Sequence, residues 1–552
     1  MMRRLMLGIV MSLYFLCGFS QEKKTEEFTS PFKIPLLLSG NFAEIRSAHL
    51  HAGIDFKTNG AVNVPMYAIS DGYIAKARVT NGSGLILEVC YNNKYYTISR
   101  HMHRFLPKIQ QMVENKQYAR KNHQVELVFS PKDFPVKAGE LIGYSGNTGY
   151  SFGPHLHLEV MDNRTREYLD PMPFFASKIK DNTPPKIEGF MIIPKYGLGV
   201  ANGDSLRVFL SASANDTAKV WGRVGFGILA HDYMEGSTNK FGVYRLSLKI
   251  DGQLLFTSLM NRFHSHESNF VNSWTIDGYM KNYVEEGNKM RQIKAHNNNR
   301  GWVDINQERD YLLEYEMSDY FGNTATKTIV VRGEKQNIPT LDIRGKNYLR
   351  WNEDKRIAEK GATLFIPKRA VLEDTQLFVS ADTAYNDIAG KYSLNAYKLK
   401  LMKPATLKIK INRRQNISDS KYYIAVLGNN GKLSSVGGHL SGDTISANIK
   451  TLATYVVEVD NEKPIITPFG KKNWAKNNEI VFSITDKHSS VVSCRTTIDG
   501  QFAVIWRPNS VKPYWHCKLD SKRFKKGINH KVKIVATDDR GNTSVMNTTF
   551  VW

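Results

Sequence analysis

Gly146-Asn147-Thr148-Gly149 is a turn that leads into Pro154-His155-Leu156-His157-Leu158-Glu159. Side chains alternate faces along a strand, so His155 and His157 project to one side and Glu159 joins them. Pro154 is a strand-edge residue. Taken alone, His-X-His reads as an exposed strand pair. About a hundred residues earlier, however, stands His51-Ala52-Gly53-Ile54-Asp55. There Gly53 allows a bend that brings an imidazole and a carboxylate to one metal. Two neutral imidazoles and one carboxylate leave zinc an open fourth position, as catalytic zinc sites do. The combination points to a metal hydrolase. Only one of His155 and His157 need bind metal, and its neighbour then lies a few ångströms from the reacting water.

The surroundings are β-rich. Residues 21–180 carry short alternating runs such as Gly72-Tyr73-Ile74-Ala75-Lys76-Ala77, punctuated by glycines at 60, 72, 82, 84, 139, 143, 146, 149 and 153. One segment, Phe105 to Phe134, interrupts them. Within it Pro107 to Arg120 reads as a helix, an insertion over the sheet placed to line a cleft. Further on a repeat emerges. Asp181-Asn182-Thr183-Pro184-Pro185 recurs loosely as Asp460-Asn461-Glu462-Lys463-Pro464. Ile250-Asp251-Gly252-Gln253 recurs as Ile498-Asp499-Gly500-Gln501, and Asp319-Tyr320-Phe321-Gly322-Asn323 as Asp538-Asp539-Arg540-Gly541-Asn542. These landmarks read as an extended linker, a hairpin turn and a turn before the last strand. The expected fold class is mostly β, a metallopeptidase sheet followed by tandem immunoglobulin-like β-sandwich modules. The expected units are 1–20 (signal peptide), 21–180 (peptidase), 181–335 (immunoglobulin-like with insertions), 336–459 (a β module of open fold) and 460–552 (immunoglobulin-like).

The chain has 552 residues, 75 Lys+Arg against 52 Asp+Glu, and a formal charge of +23. Its length suits about three to five domains. A basic balance favours anionic partners such as cell-wall polymers, lipopolysaccharide or membrane headgroups. Without a phosphate-cradling loop, zinc-finger cysteine pairs or an RNA-binding aromatic motif, nucleic acid is not the expected partner. Met1-Met2-Arg3-Arg4, the apolar run Leu5 to Leu16, and Gly18-Phe19-Ser20 read as a signal peptide cleaved after Ser20. The alternative is lipid attachment at Cys17, where the preceding Leu16 is large for that chemistry. No second stretch reaches spanning length, so the mature chain is expected to lack a transmembrane helix and to be exported to the periplasm, envelope or exterior. Of the remaining cysteines, Cys90 reads as core. Cys494 and Cys517 read equally well as a disulfide or as two separate buried thiols.

Residues 36–173 resemble the LytM/lysostaphin-type peptidoglycan endopeptidases, peptidase family M23. The stretches that carry the resemblance are Arg46 to Asp55, Val64 to Gly72, Val136 to Gly143 and Ser145 to Glu159. The resemblance implies that His51, Asp55 and His157 bind Zn2+ and that His155 is a catalytic histidine beside it. It also implies another active-site histidine, usually within Tyr-X-His-Leu. Here that stretch is Ser99-Arg100-His101-Met102-His103-Arg104-Phe105. His101 matches best, with Ser99 in place of the usual Tyr. His103 is the competitor, expected to share a strand face with His101. His49 shares a face with His51 but lacks the Gly-X-Asp register. Glu159 reads either as a group orienting a ligand or as a solvated carboxylate. Some members of the family insert an Asn of an N-terminal segment into the metal site; about twenty residues precede Asn41 after Ser20, little room for a separate pro-domain. The function implied is exported zinc endopeptidase action on the peptide stems of peptidoglycan. The β modules, by analogy, engage other envelope components. The alternatives are a peptidase of the same fold acting on another envelope protein, and a non-catalytic scaffold or amidase activator. Retention of His51, Asp55 and His157 argues against the last.

Overall fold

A computed structural model describes residues 27–213, 217–340, 345, 347–394 and 399–552. The signal-peptide reading and Cys17 lie outside the described residues. The architecture is mostly β. Its N-terminal part is built on an antiparallel sheet in the order Leu38–Gly40, Ile54–Lys57, His155–Asp162, Tyr95–Met102, Gly84–Tyr91, Gly72–Thr80, Val125–Val128. The apolar members of the central strand, Leu156, Leu158 and Val160, are buried in the core, which turns the alternate residues His155, His157 and Glu159 to the opposite face. Pairing fixes the rest: His157 lies directly opposite Asp55 on one neighbouring strand and Arg100 on the other. Gly53, just before Asp55, is obligatory for close approach. A Cβ there would stand 2.3 Å from the Leu158 carbonyl oxygen.

Pro107–Arg120 is an α-helix, with Pro107 in the first turn and Ile109 and Val113 buried beneath it. Its outward side faces the C-terminal module rather than lining the metal site. Tyr118 meets Phe502 edge-on at 6.0 Å, and Arg523 lies 3.6 Å over the Tyr118 ring.

The first hydrophobic core runs without a break from Phe28 to Val331. The strand Tyr168–Leu169 pairs with Arg262–Phe263, and Phe42 stacks on Phe263 at 5.0 Å, so the N-terminal sheet and the following β unit are packed as one body. That second unit forms an 11-stranded sheet in which Ala218–His231 and Thr324–Gly333 pair in parallel. Residues 349–457 hold a separate core between two five-stranded sheets. Residues 474–552 hold another, between a three-stranded and a four-stranded sheet.

Both Asp-Gly landmarks are tight hairpin turns. Asp251 and Gly252 have φ of 48° and 77°, Asp499 and Gly500 of 50° and 79°, and each pair joins strands that meet at the flanking Ile and Gln. Of the two readings of the cysteines, the structure shows separate thiols. Cys494 and Cys517 lie on strands of opposite sheets and are both free, as is Cys90. Burial pushes both thiols up to about 12. No helix among the described residues is long and apolar enough to cross a membrane.

Candidate metal centre

His51 Nε2, Asp55 Oδ1 and His157 Nδ1 form a triangle with edges of 3.1, 2.9 and 2.9 Å. All three residues are at least nine-tenths buried. Their remaining polar atoms are committed elsewhere. The Nδ1–H of His51 donates to the Asn41 carbonyl oxygen at 2.6 Å. The Nε2–H of His157 donates to Glu159 Oε1 at 2.9 Å. Asp55 Oδ2 accepts from Arg46 Nη2 at 2.8 Å. These partners fix the imidazole tautomers and leave three lone pairs facing one another. Lone pairs at this separation repel unless a cation or a proton lies between them. Tetrahedral zinc with bonds of about 2.0–2.1 Å sets its donors roughly 3.3 Å apart, so the donor set fits that ion in both chemistry and spacing.

Around the triangle His51 is neutral and the carboxylates are ionised, whereas at His157 burial opposes charge but hydrogen bonds to Asp55 and Glu159 hold it above the usual imidazole range. Burial pushes His51 down to about 4 against the opposing pull of Asp55. Asp55 is held well below the usual carboxylate range, because His51 and His157 outweigh its burial. Burial disfavours charge on Glu159 too, yet Arg100 and His157 bring it down to about 2. Arg100 grips that carboxylate with two bonds of 2.7 and 3.2 Å. Glu159 is therefore an ionised orienting group, not a solvated one.

Two further imidazoles face the same space. His155 Nε2 stands 3.6 Å from Asp55 Oδ1, while its Nδ1–H donates to the Gly153 carbonyl oxygen at 2.8 Å. His101 donates from Nδ1 to the Thr148 carbonyl oxygen at 2.7 Å, and its ring centroid is 5.0 Å from that of His155. Burial, with His157 and His155 beside it, brings His101 down to about 3, so its imidazole is neutral. The expectation that His101 and His103 share a strand face is corrected. His101 has φ of 61°, and the pairing register slips between Leu85 and Leu87 opposite it, so alternation breaks there. His103 is exposed, and its amide donates to the Tyr144 carbonyl oxygen. His49 is likewise exposed and outside the triangle.

The structure adds groups for which the sequence carried no signal. Asn41 turns its side chain away from the metal centre and bonds Gly242 of the second unit in both directions, at 2.7 and 2.8 Å, while its carbonyl holds His51. The loop 146–153, whose carbonyls hold His101 and His155, is braced by the last module. Asn509 Nδ2 donates to the Asn147 and Ser151 carbonyl oxygens at 3.0 and 2.8 Å, and Gly149 exchanges backbone bonds with Pro508 and Ser510. The downstream modules fold back and support the site.

The chain is 36% identical over 130 residues to a glycyl-glycine endopeptidase, ALE-1, of Staphylococcus capitis, which covers 23% of this chain and 29% of that protein. It is 34% identical over 131 residues to lysostaphin of Staphylococcus simulans, covering 23% of this chain and 22% of that one. The chain thus spans less than a third of the length of these curated relatives. Among solved structures, it is similar to the catalytic domain of the antimicrobial peptidase lysostaphin from S. simulans, at 27% identity and a TM-score of 0.20, covering 26% of this chain and 92% of that one. A zinc-containing peptidase from Vibrio cholerae is 26% identical, with a TM-score of 0.20, over 26% of this chain and 38% of that one. Separately, a Zu5-like domain model matches residues 346–460, the stretch whose fold the sequence left open.

Proposed function

We propose that this chain is an exported zinc metalloendopeptidase that hydrolyses peptide cross-links of peptidoglycan. One observation carries the reading: three buried lone pairs, from His51, Asp55 and His157, converge with their other atoms already satisfied. Similarity to proteins named glycyl-glycine endopeptidase and lysostaphin supports the substrate class. The +23 charge suits an anionic wall surface. Peptide stems of peptidoglycan are the proposed partner, with other envelope components meeting the β modules. The unit boundaries at 180, 335 and 459 and the signal peptide at 1–20 belong to the same proposal.

When bound, zinc supplies a Lewis acid that polarises the scissile carbonyl and makes a water nucleophilic. The protein's own groups do the rest. His51 and His157 each turn one ring nitrogen to the metal position because Asn41 and Glu159 hold the proton on the other. His101 and His155 present bare Nε2 atoms, since their Nδ1 protons are committed to Thr148 and Gly153. Each is therefore an acceptor: His101 orients the attacking water, and His155 takes its proton and returns it to the leaving amine. Sacculi incubated with the zinc-loaded protein, with and without chelator, are the test. New amino termini in the stem peptides, lost in His155→Ala and with chelator, are expected. Intact stem peptides alongside cleavage of another envelope protein would overturn the substrate.

A further inference from the structure

The repeated landmarks of the second and last units converge in space. Asp181, Asp232 and Asp319 bring carboxylate oxygens within 4.8 Å of one another, and so do Asp460, Asp486 and Asp538. The third member of each set has no counterpart among the sequence landmarks. Asp232 directly follows the strand Ala218–His231, and Asp486 directly follows Glu479–Thr485. The two clusters share their scaffold. Asn323 donates from its amide and side chain to Asp319 and from Nδ2 to the Asp181 carbonyl oxygen at 3.0 Å. Asn542 does the same with Asp538 and the Asp460 carbonyl oxygen, also at 3.0 Å. Asp181 and Asp460 each tie Oδ1 to a backbone amide two residues on, at 3.0 Å.

What these bonds leave over is informative. Asp181 Oδ2, Asp232 Oδ1 and Asp460 Oδ2 belong to side chains at least nine-tenths buried, and Asp486 Oδ2 is itself buried; none of these four oxygens has a hydrogen-bond partner. Buried carboxylate oxygens are ordinarily paired or coordinated. The charges acting on Asp232 are those of Asp319 and Asp181, which repel it. Burial and these neighbours push Asp232 up to about 8, and burial with Asp319 and Glu235 beside it pushes Asp181 up to about 7. At the second cluster Lys421 is close by, but it bonds Asn542 Oδ1 at 2.5 Å. A cavity of ≈ 20 Å³ lies among Asp181, Asp232 and Asp319.

We infer that each cluster binds a hard divalent cation, calcium, through its three aspartates. All the donors are oxygens, which excludes a preference for zinc, and three carboxylates on one ion suit calcium better than magnesium, which is usually held by one or two carboxylates and keeps several waters. Each site lies at a junction. Asn41, Phe42, Asp170 and Met172 of the peptidase part line the first cavity. At the second, Arg540, in the turn after Asp538, bonds the Tyr422 and Gly438 carbonyl oxygens of the preceding module. Bound calcium would lock the modules into the arrangement that braces the metal centre.

The test is equilibrium dialysis of the zinc-loaded full chain against radioactive calcium, with magnesium in tenfold excess. Two calcium ions per chain are expected, one in Asp232→Asn, one in Asp486→Asn and none in the double variant. His157→Ala is expected to keep both, which separates these sites from the zinc reading. Calcium is also expected to raise the Tm of the wild type by several degrees and leave the double variant unmoved. Absence of calcium binding at millimolar concentration, displacement by magnesium, or two ions retained in a folded double variant would overturn the inference.

Discussion

Glu159→Gln probes the metal centre without removing a ligand. Glu159 Oε1 takes the His157 ring proton at 2.9 Å and the Arg100 Nε–H at 2.7 Å, and Oε2 takes Arg100 Nη2 at 3.2 Å. A glutamine can keep its oxygen on His157 and Arg100 Nε, but its NH2 group then meets Arg100 Nη2, donor against donor. Reversing the amide turns the NH2 on the His157 ring proton instead. Either way the carboxylate charge that makes His157 a stronger donor is lost. Partners of this kind are typically worth 10–100-fold in metal affinity, about 1.4–2.7 kcal/mol. Zinc affinity is to be measured by competition with a chromophoric chelator at neutral pH, with circular dichroism to establish that the variant is folded. A folded variant that binds zinc within twofold of wild type would refute the role assigned to Glu159.

Three other outcomes are expected. Asn509→Ala removes the brace on the loop 147–151, and because small displacements of catalytic groups are costly, kcat should fall by about tenfold; zinc affinity, read by the same chelator competition, should stay unchanged. Gly53→Ala drives a methyl into the Leu158 carbonyl oxygen and should destabilise the fold by about 3 kcal/mol, measurable by denaturant titration. Glu267, gripped by Arg291 and the His264 amide, is brought down to about 2 despite its burial. Its folded pKa lies below the unfolded one, so the stability it contributes is present above about pH 4.3 and fades as pH falls toward about 2. Glu267→Gln should flatten the fall in Tm across that window.

Much of the metal centre was legible in sequence because period-two alternation is a local property. It placed His155, His157 and Glu159 on one face, whereas Gly53, read as a bend, is needed instead for close approach to the Leu158 carbonyl. Alternation also misled at His101, where a left-handed residue and a register slip part it from His103. The braces on the site were beyond reach. Asn509 and Ser151 are 358 residues apart, and Asn41 and Gly242 are 201 apart. Contacts at such separations leave no periodic trace. The aspartate clusters were half visible: the turns at Asp319 and Asp538 repeat, whereas Asp232 and Asp486 become partners only when strand ends meet.

Anomalous diffraction at the zinc edge from crystals of the protein grown with zinc would locate the ion. A strong peak bounded by His51 Nε2, Asp55 Oδ1 and His157 Nδ1 is expected, with bonds of about 2.0–2.2 Å to all three. A peak that omits any one of these donors, or none at that position, would contradict the zinc assignment.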